Sequence, residues 1–340
     1  MVNSGNRGRT STVAISGAAG FLGAHLVRGF DGRGARVLPL VRAVEGRSPA
    51  GAHLLEEACA GPTALAGVDV FVHAAAERLR HGADGAGDHA PNVEGVERAM
   101  RACAAARVRR FVFVSCVGVY GYPARLPVTE EHPYAPRAPY AGMKVEPEMR
   151  ARRVARDLPL ELTIVQPAIL YGPGDRHGVL PRMAARIRSS TYRVVGSGDN
   201  VLHHVHVDDI VEGTWLAATR DEAAGEHFIL AGPETTTLAR LSGLVARAVG
   251  RDLPRGHVPI AVARAVAAAV DAAEQYGVAF TRREPPIDHE KLDAMALSVC
   301  FDIGKARRLL GFAAVVGYEE GVMRTLQGQW PALARAGAEP

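Results

Sequence analysis

Residues 12–23 read TVAISGAAGFLG, and the fold follows from how this stretch must behave. Thr12 to Ser16 is apolar, rich in β-branched residues and stops at glycine, as a short buried strand does. From Phe21 onward apolar positions recur at helical spacing. Between strand and helix, Gly17, Gly20 and Gly23 stand at GxxGxxG spacing. The first glycine permits a sharp turn, the second lets backbone approach a pyrophosphate, and the third lets helix pack closely on strand. The helix N-terminus adds free amides and a positive dipole end. A glycine triplet alone is often only a tight turn; between a strand and a helix it points to a dinucleotide.

Working outward, the alternation repeats. Segments 36–41, 68–74, 111–115 and 162–166 read as strands, and 92–107 and 140–156 as helices. This predicts an α/β fold: a Rossmann-type, doubly wound parallel sheet with helices on both faces. Past Pro167 the pattern loosens into Gly/Pro punctuation (YGPGD, GSGDN). A helix from near Asp209, a strand at 227–230 and helices over 238–249 and 258–276 predict a small, mostly helical C-terminal lobe. The expected organisation is a dinucleotide-binding domain over 1–170, also receiving strands from about 200–232, and a mainly substrate-binding lobe over 171–340, interleaved with it. Residues 81–88 (HGADGAGD) read as a surface loop.

Composition narrows the class. The chain has 340 residues, 48% hydrophobic and 22% charged, close to globular averages and long enough for two domains. Its four cysteines form no CxxC pair, so neither a zinc site nor a disulfide framework is expected and no metal is assigned. A net charge of +4 without a like-charge run does not predict a nucleic-acid partner; an acidic or phosphorylated ligand suits it better. The polar start and the interruption of 259–280 by Arg264, Asp271 and Glu274 predict no leader and no membrane span, hence a soluble, cytoplasmic protein. Only Lys144, Lys291 and Lys305 are lysines among 40 basic residues, so a lysine marks a place that needs an ammonium.

Three stretches carry chemistry. At the end of the second strand, VLPLVR puts Val41 where an acid would read the ribose 2′-hydroxyl of NAD, and Arg42 after it suits the 2′-phosphate of NADP. NADP is therefore preferred over NAD, the alternative being a solvated arginine in an arginine-rich chain. In PYAGMK, Tyr140 and Lys144 are spaced by four on a predicted helix and share a face. A phenol with pKa near 10 is a poor acid-base at neutral pH, but a nearby ammonium favours phenolate. Arginine would keep the charge without the compact ammonium that can reach both tyrosine and ribose. The third stretch, FVFVSCVGVYG, ends a strand at the carboxyl edge where ligands bind.

Together SGAAGFLG, GVDVFVHAAA, PNVEGV, FVFVSCVGVYG, PYAGMK, QPAILYGPGD, HVHVDDI and FDIGKARRLLGF, in this order, resemble the extended short-chain dehydrogenase/reductases, the NAD-dependent epimerase/dehydratase family. The resemblance covers nearly the whole chain. It implies a nicotinamide cofactor held by Gly17, Ala19, Gly20, Phe21, Leu22 and Gly23, with Arg42, His73, Ala74, Ala75, Tyr140, Lys144, Pro167 and Ile169 along its length. It implies Tyr140 as general acid/base with Lys144 as its partner, Asn92 marking the helix beneath the site, and Val117, Tyr120 and Tyr171 on the substrate side. It also implies a homodimer pairing through the helices at about 92–107 and 140–156. Bland readings stand beside these: His73 as a core histidine, Asn92 as a helix cap, Asp208 and Asp209 as caps of the next helix, and His203, His204 and His206 as no metal site.

Three departures matter. The family's Ser or Thr four residues before the tyrosine of VYG is Cys116, either a weak stand-in for the hydroxyl or a specialised group, and Ser115 falls on the opposite strand face. Val117 and Gly118 replace the acidic pair of the dehydratases. Leu202 stands near the arginine that commonly holds a sugar nucleotide's diphosphate. The expected activity is an NAD(P)(H)-dependent interconversion of ketone and secondary alcohol on a small, partly apolar metabolite; the long segment from Tyr276 to Cys300, containing REPP, resembles the sterol-dehydrogenase-like and ketoreductase branches more than the sugar epimerases. The alternatives are a nucleotide-sugar epimerase or 4-ketoreductase and, in another class, a non-catalytic dinucleotide-binding sensor or scaffold.

Overall fold

The computed structural model describes residues 10–43, 48–76, 89–136, 139–253, 256–275 and 289–327. The loop expected at 81–88, the REPP segment and the side chain of Tyr140 lie outside the described residues. The N-terminal half builds β1 (Thr12–Ser16), α1 (Phe21–Asp31), β2 (Arg36–Val41), β3 (His53–Leu54), α2 (Leu55–Ala60), β4 (Val70–His73), α3 (His89–Ala105), β5 (Arg110–Val114), α4 (Pro139–Ala155) and β6 (Glu161–Pro167). All pairings among these strands are parallel.

The chain then runs through β7 (Ile169–Tyr171), α5 (Val179–Arg188), β8 (Val194–Val195), β9 (Val201–Leu202), β10 (His204–His206) and α6 (Val207–Thr219) before β11 (His227–Leu230) returns to the main sheet. Its strand order is β11-β6-β5-β4-β1-β2-β3. The winding reverses between β1 and β4, which opens a crevice at the carboxyl edge. After β11 come β12 (Thr236–Thr237), α7 (Leu238–Ala248), β13 (His257–Val258), α8 (Ile260–Gln275), α9 (His289–Ala296), α10 (Gly304–Leu310) and α11 (Tyr318–Gln327).

Period-two alternation divides the sheet's side chains between two cores. Val13, Ile15, Val72 and Val112 face α1 and α6 with Leu26, Phe30 and Ile210, whereas Ala14, Phe71, Phe111 and Phe113 face α3 and α4 with Met100, Cys103 and Val154. A third core joins α5, α7 and α11 through Ile187, Leu241, Leu244 and Val322. Arg110, fully buried on β5, links two elements: its guanidinium donates to Glu161 Oε2 at 2.8 Å and to the carbonyls of Ala217, at 3.1 Å, and Arg220, at the C-terminal end of α6. A cation there also opposes the negative end of the helix dipole.

Two local expectations are corrected. Asn92 does not cap a helix, because α3 already begins at His89. Nor do the aspartates cap α6: His206 does, its Nδ1 accepting from the Asp208 amide at 3.2 Å. Asp209 instead accepts from the amides of Val315 (2.9 Å) and Val316 (3.2 Å), fastening the segment that precedes α11.

Candidate active site

The glycine turn is built by backbone contact. Gly17 has φ +74°, and a Cβ on it would stand 2.8 Å from Ala75 N and 2.9 Å from the carbonyl of Ala74. A Cβ on Gly23 would stand 2.0 Å from Gly17 O, so the helix closes directly on the turn. Gly20, the N-cap of α1, makes no side-chain capping bond. The helix therefore presents Phe21, Leu22 and their first-turn amides at the carboxyl edge beside Ala19, Ala74 and Ala75. Ser16, unremarked in the sequence, ties this together: β1 pairs Ser16 with His73, and Ser16 Oγ lies 3.1 Å from His73 Nδ1 while accepting from Ala75 N at 3.3 Å.

Beside the turn, His73, Ala75, Ala76, Asn92, Phe113, Met143, Lys144 and Pro147 line a recess. Burial, reinforced by Lys144, pulls the His73 pKa down to about 3, so its imidazole is neutral. Tyr140 belongs to the first turn of α4 and Lys144 stands one turn further on. The Lys144 ammonium is buried, donates to Val114 O at 3.2 Å and lies 5.8 Å from the centre of the Phe113 ring. Its pKa is lowered by burial, against the pull of Cys116 and Glu148.

Cys116 heads the 3₁₀ turn Val117–Tyr120, half-buried, with extended backbone (φ −160°, ψ 160°). Burial pushes its thiol pKa up, while Lys144 and the amides of Gly118 and Val119 oppose that rise. Pro167 ends β6 at the same edge, and Ile169 follows with 40% of its surface exposed. Arg42 follows β2, also at that edge and exposed.

The three residues expected on the substrate side are all buried. Val117 is buried among the α1/α6 core. The Tyr120 hydroxyl is committed inward, donating to Gln166 Oε1 at 2.7 Å. Tyr171 stacks on Tyr318 with ring centres 6.0 Å apart and packs against Gly321. Leu202 is buried in β9. The histidines of HHVH are structural: His203 Nε2 donates to Gly232 O (3.0 Å), His204 Nδ1 meets the Tyr318 hydroxyl (3.0 Å), and His206 caps α6. Among the described residues no His/Cys/Asp/Glu group is arranged to hold a metal, and no helix is long and apolar enough to cross a membrane.

The geometry has a match among known proteins. The NAD dependent epimerase/dehydratase family matches residues 13–231. A 2-alkyl-3-oxoalkanoate reductase of Stenotrophomonas maltophilia is 30% identical over 92% of this chain and 97% of its own length. A 4-hydroxy-2-methyl-3-oxo-4-farnesyl-3,4-dihydroquinoline-1-oxide ketoreductase of Stigmatella aurantiaca is 30% identical over 91% of this chain and 93% of its own length. In fold, a short-chain dehydrogenase/reductase superfamily protein of Agrobacterium tumefaciens with bound NAD superposes with a TM-score of 0.73 at 23% identity, over 96% of this chain and 100% of that one. The chain belongs to the NAD-dependent epimerase/dehydratase family and is an NAD-dependent oxidoreductase of the extended short-chain dehydrogenase/reductase type. The residues fit the cofactor: Gly17 and Gly23 let strand, turn and helix meet backbone to backbone, and the α1 N-terminus at Gly20 carries no side-chain cap.

Proposed function

We propose that this enzyme reduces a ketone on an apolar, acyl-like metabolite and prefers NADPH. The observation that carries the reading is the buried Lys144 ammonium, one turn after Tyr140 on α4 and lining the recess beside His73 and Asn92. When bound, the cofactor supplies the hydride. Tyr140 delivers the proton to the substrate oxygen as charge develops there, and Lys144 favours its phenolate and orients the ribose. The first-turn amides of α1 would hold the cofactor's pyrophosphate.

The substrate class is supported by the ketone reductases among the relatives, by the exposed apolar Ile169 at the edge, and by the buried Leu202 near the place where nucleotide-sugar members commonly carry a diphosphate-binding arginine. The test is a panel of 3-oxoacyl compounds and UDP-sugars scored for nicotinamide oxidation. Turnover of the former supports the reading; interconversion of UDP-sugars without net oxidation replaces it with an epimerase, and cofactor binding without any turnover replaces it with a sensor.

The NADPH preference rests on Val41 and Arg42 at the end of β2. An arginine can pair with a phosphate through two charge-assisted hydrogen bonds. Arg42→Ala is expected to weaken NADPH about tenfold or more and leave NADH nearly unchanged; equal losses in titration would refute the preference. The proposed working form is a cytoplasmic homodimer paired through α3 and α4, with a small-molecule substrate and neither nucleic acid nor membrane as partner. Light scattering of the purified protein checks its mass.

A further inference from the structure

One turn past Lys144, α4 carries a second buried charge. Glu148 has no exposed surface, and its carboxylate accepts from the Tyr134 hydroxyl, from Arg152 Nη2 at 2.8 Å and Nε at 3.2 Å, and from Gln166 Nε2 at 3.3 Å. Gln166 Nε2 also donates to the Tyr134 hydroxyl at 2.9 Å, and Gln166 Oε1 accepts from Tyr120. The network thus has a member on each segment that frames the site: Tyr120 closes the turn headed by Cys116, Gln166 precedes Pro167, and Glu148 follows Lys144 on one helix face.

These donors account for why Glu148 can be buried; they do not account for Lys144. A buried ammonium is costly unless paired, and its hydrogen bond to Val114 O brings no opposite charge. Among the described residues, few polar groups line the recess with Lys144. His73 of β4 is neutral, Asn92 of α3 is uncharged, and the Cys116 thiol after β5 is kept neutral by burial. Glu97 of α3 is engaged by Arg101 and Arg150. One turn along the same face of α4, four residues from Lys144, stands the fully buried Glu148 carboxylate.

We propose that Glu148, held in place by Tyr134, Arg152 and Gln166, is a positioning residue that supplies the counter-charge keeping Lys144 protonated in the recess. The catalytic use of that charge rests on the function proposed above, but the electrostatic coupling can be read without turnover. Because the chain has only three lysines, protein labelled with ¹³C at lysine Cε gives three NMR signals, and Lys144→Arg identifies one of them by its loss. Lys305, paired with Glu226 at 2.8 Å, serves as the internal reference.

In Glu148→Gln the Lys144 midpoint is expected to fall by about one pH unit or more, a tenfold change in its protonation ratio. Tyr134→Phe, which removes a hydrogen bond but no charge, is expected to leave the midpoint near wild type. Arg152→Gln frees the carboxylate from its own cation and is expected to raise it, an arm that survives if Glu148→Gln fails to fold. An unmoved Lys144 midpoint in either charge variant overturns the proposal and leaves Glu148 a structural residue. If Tyr140→Phe keeps full ketone reduction, the catalytic reading falls while the titration result stands.

Discussion

The two walls of the crevice are made of different material. On the β1 side the wall is backbone: the turn from Gly17 to Gly23 meets Ala74 and Ala75 so closely that side chains are excluded. On the β5 side it is side chains: the buried Lys144 and Glu148 with its hydrogen-bond network, and the half-buried Cys116. The first wall responds to volume and ignores pH. The second tolerates shape changes better than changes of charge, because a hydrogen bond or ion pair in low dielectric is strong when made and costly when half-made.

The largest effect is expected on the side-chain wall. Tyr140→Phe removes one proton-transferring hydroxyl and should lower kcat by about 10² to 10⁴-fold, with cofactor affinity nearly unchanged. Single-turnover ketone reduction with titrated NADPH checks both, and a wild-type rate would move the protein to the non-catalytic reading. Lys144→Arg should also be damaging despite its retained charge. On the backbone wall, Gly17→Ala places a methyl in contact with Ala74 and Ala75 at a left-handed φ, so cofactor affinity should fall about tenfold or more, with a stability loss of about 1–3 kcal/mol. That loss should be the same at pH 6 and pH 9. A pH-dependent one would show that the two walls are not independent.

What was legible in the sequence follows the same division. A glycine that must have positive φ announces itself one residue at a time, so strand, turn and helix around Gly17 could be read directly, as could the alternating parallel sheet. Long-range pairing could not. Ser16 gains its role only once β1 and β4 align it with His73. Glu148 looks like any solvated helix glutamate until the fold brings Tyr134 and Gln166 to it, although its four-residue spacing from Lys144 was a usable signal. Nor could the hydrogen bond from the Tyr120 hydroxyl to Gln166, which closes the interior network, be read from sequence. The segment 53–65, with β3 and α2, has too few residues per element to be separated from loop, whereas α5 and α11 carry an apolar face at helical spacing that was a usable signal.

A smaller effect tests the buried histidines. His73, His204 and His206 are buried, with burial lowering their pKa values to about 3, about 4 and about 4 respectively. In the unfolded chain each would titrate near 6.5. Above that value neither state binds the proton and no stability is lost; as pH falls from about 6.5 towards about 4, the unfolded chain takes up protons that the folded one refuses. Each imidazole then removes up to about 1.4 kcal/mol per pH unit. Urea midpoints should therefore drop steeply between pH 6 and pH 4.5, and His204→Gln should flatten the slope. A flat midpoint across that window would contradict the buried, neutral assignment.

The smallest expected effect is at Cys116, where the side-chain wall departs from the family's chemistry. A hydroxyl there would donate to the substrate oxygen as negative charge develops; a thiol is larger and a much weaker donor, so it supplies a fraction of that stabilisation. The structure argues against a specialised role, because burial raises the thiol pKa, and a reactive cysteine needs the opposite. With Tyr140 carrying the proton, Cys116→Ser should match or exceed the wild-type rate by about threefold at most, and Cys116→Ala should cost about tenfold or less, both small beside the loss of one oxyanion donor in a fully committed site. Alkylation by iodoacetamide should be slow and little affected by substrate. If serine and alanine both collapse the single-turnover rate, and substrate protects the thiol from alkylation, Cys116 is itself an acid or nucleophile. The ammonium of Lys144 would then serve the thiolate as well as the phenolate, and the Glu148→Gln substitution would change the alkylation rate along with the lysine titration.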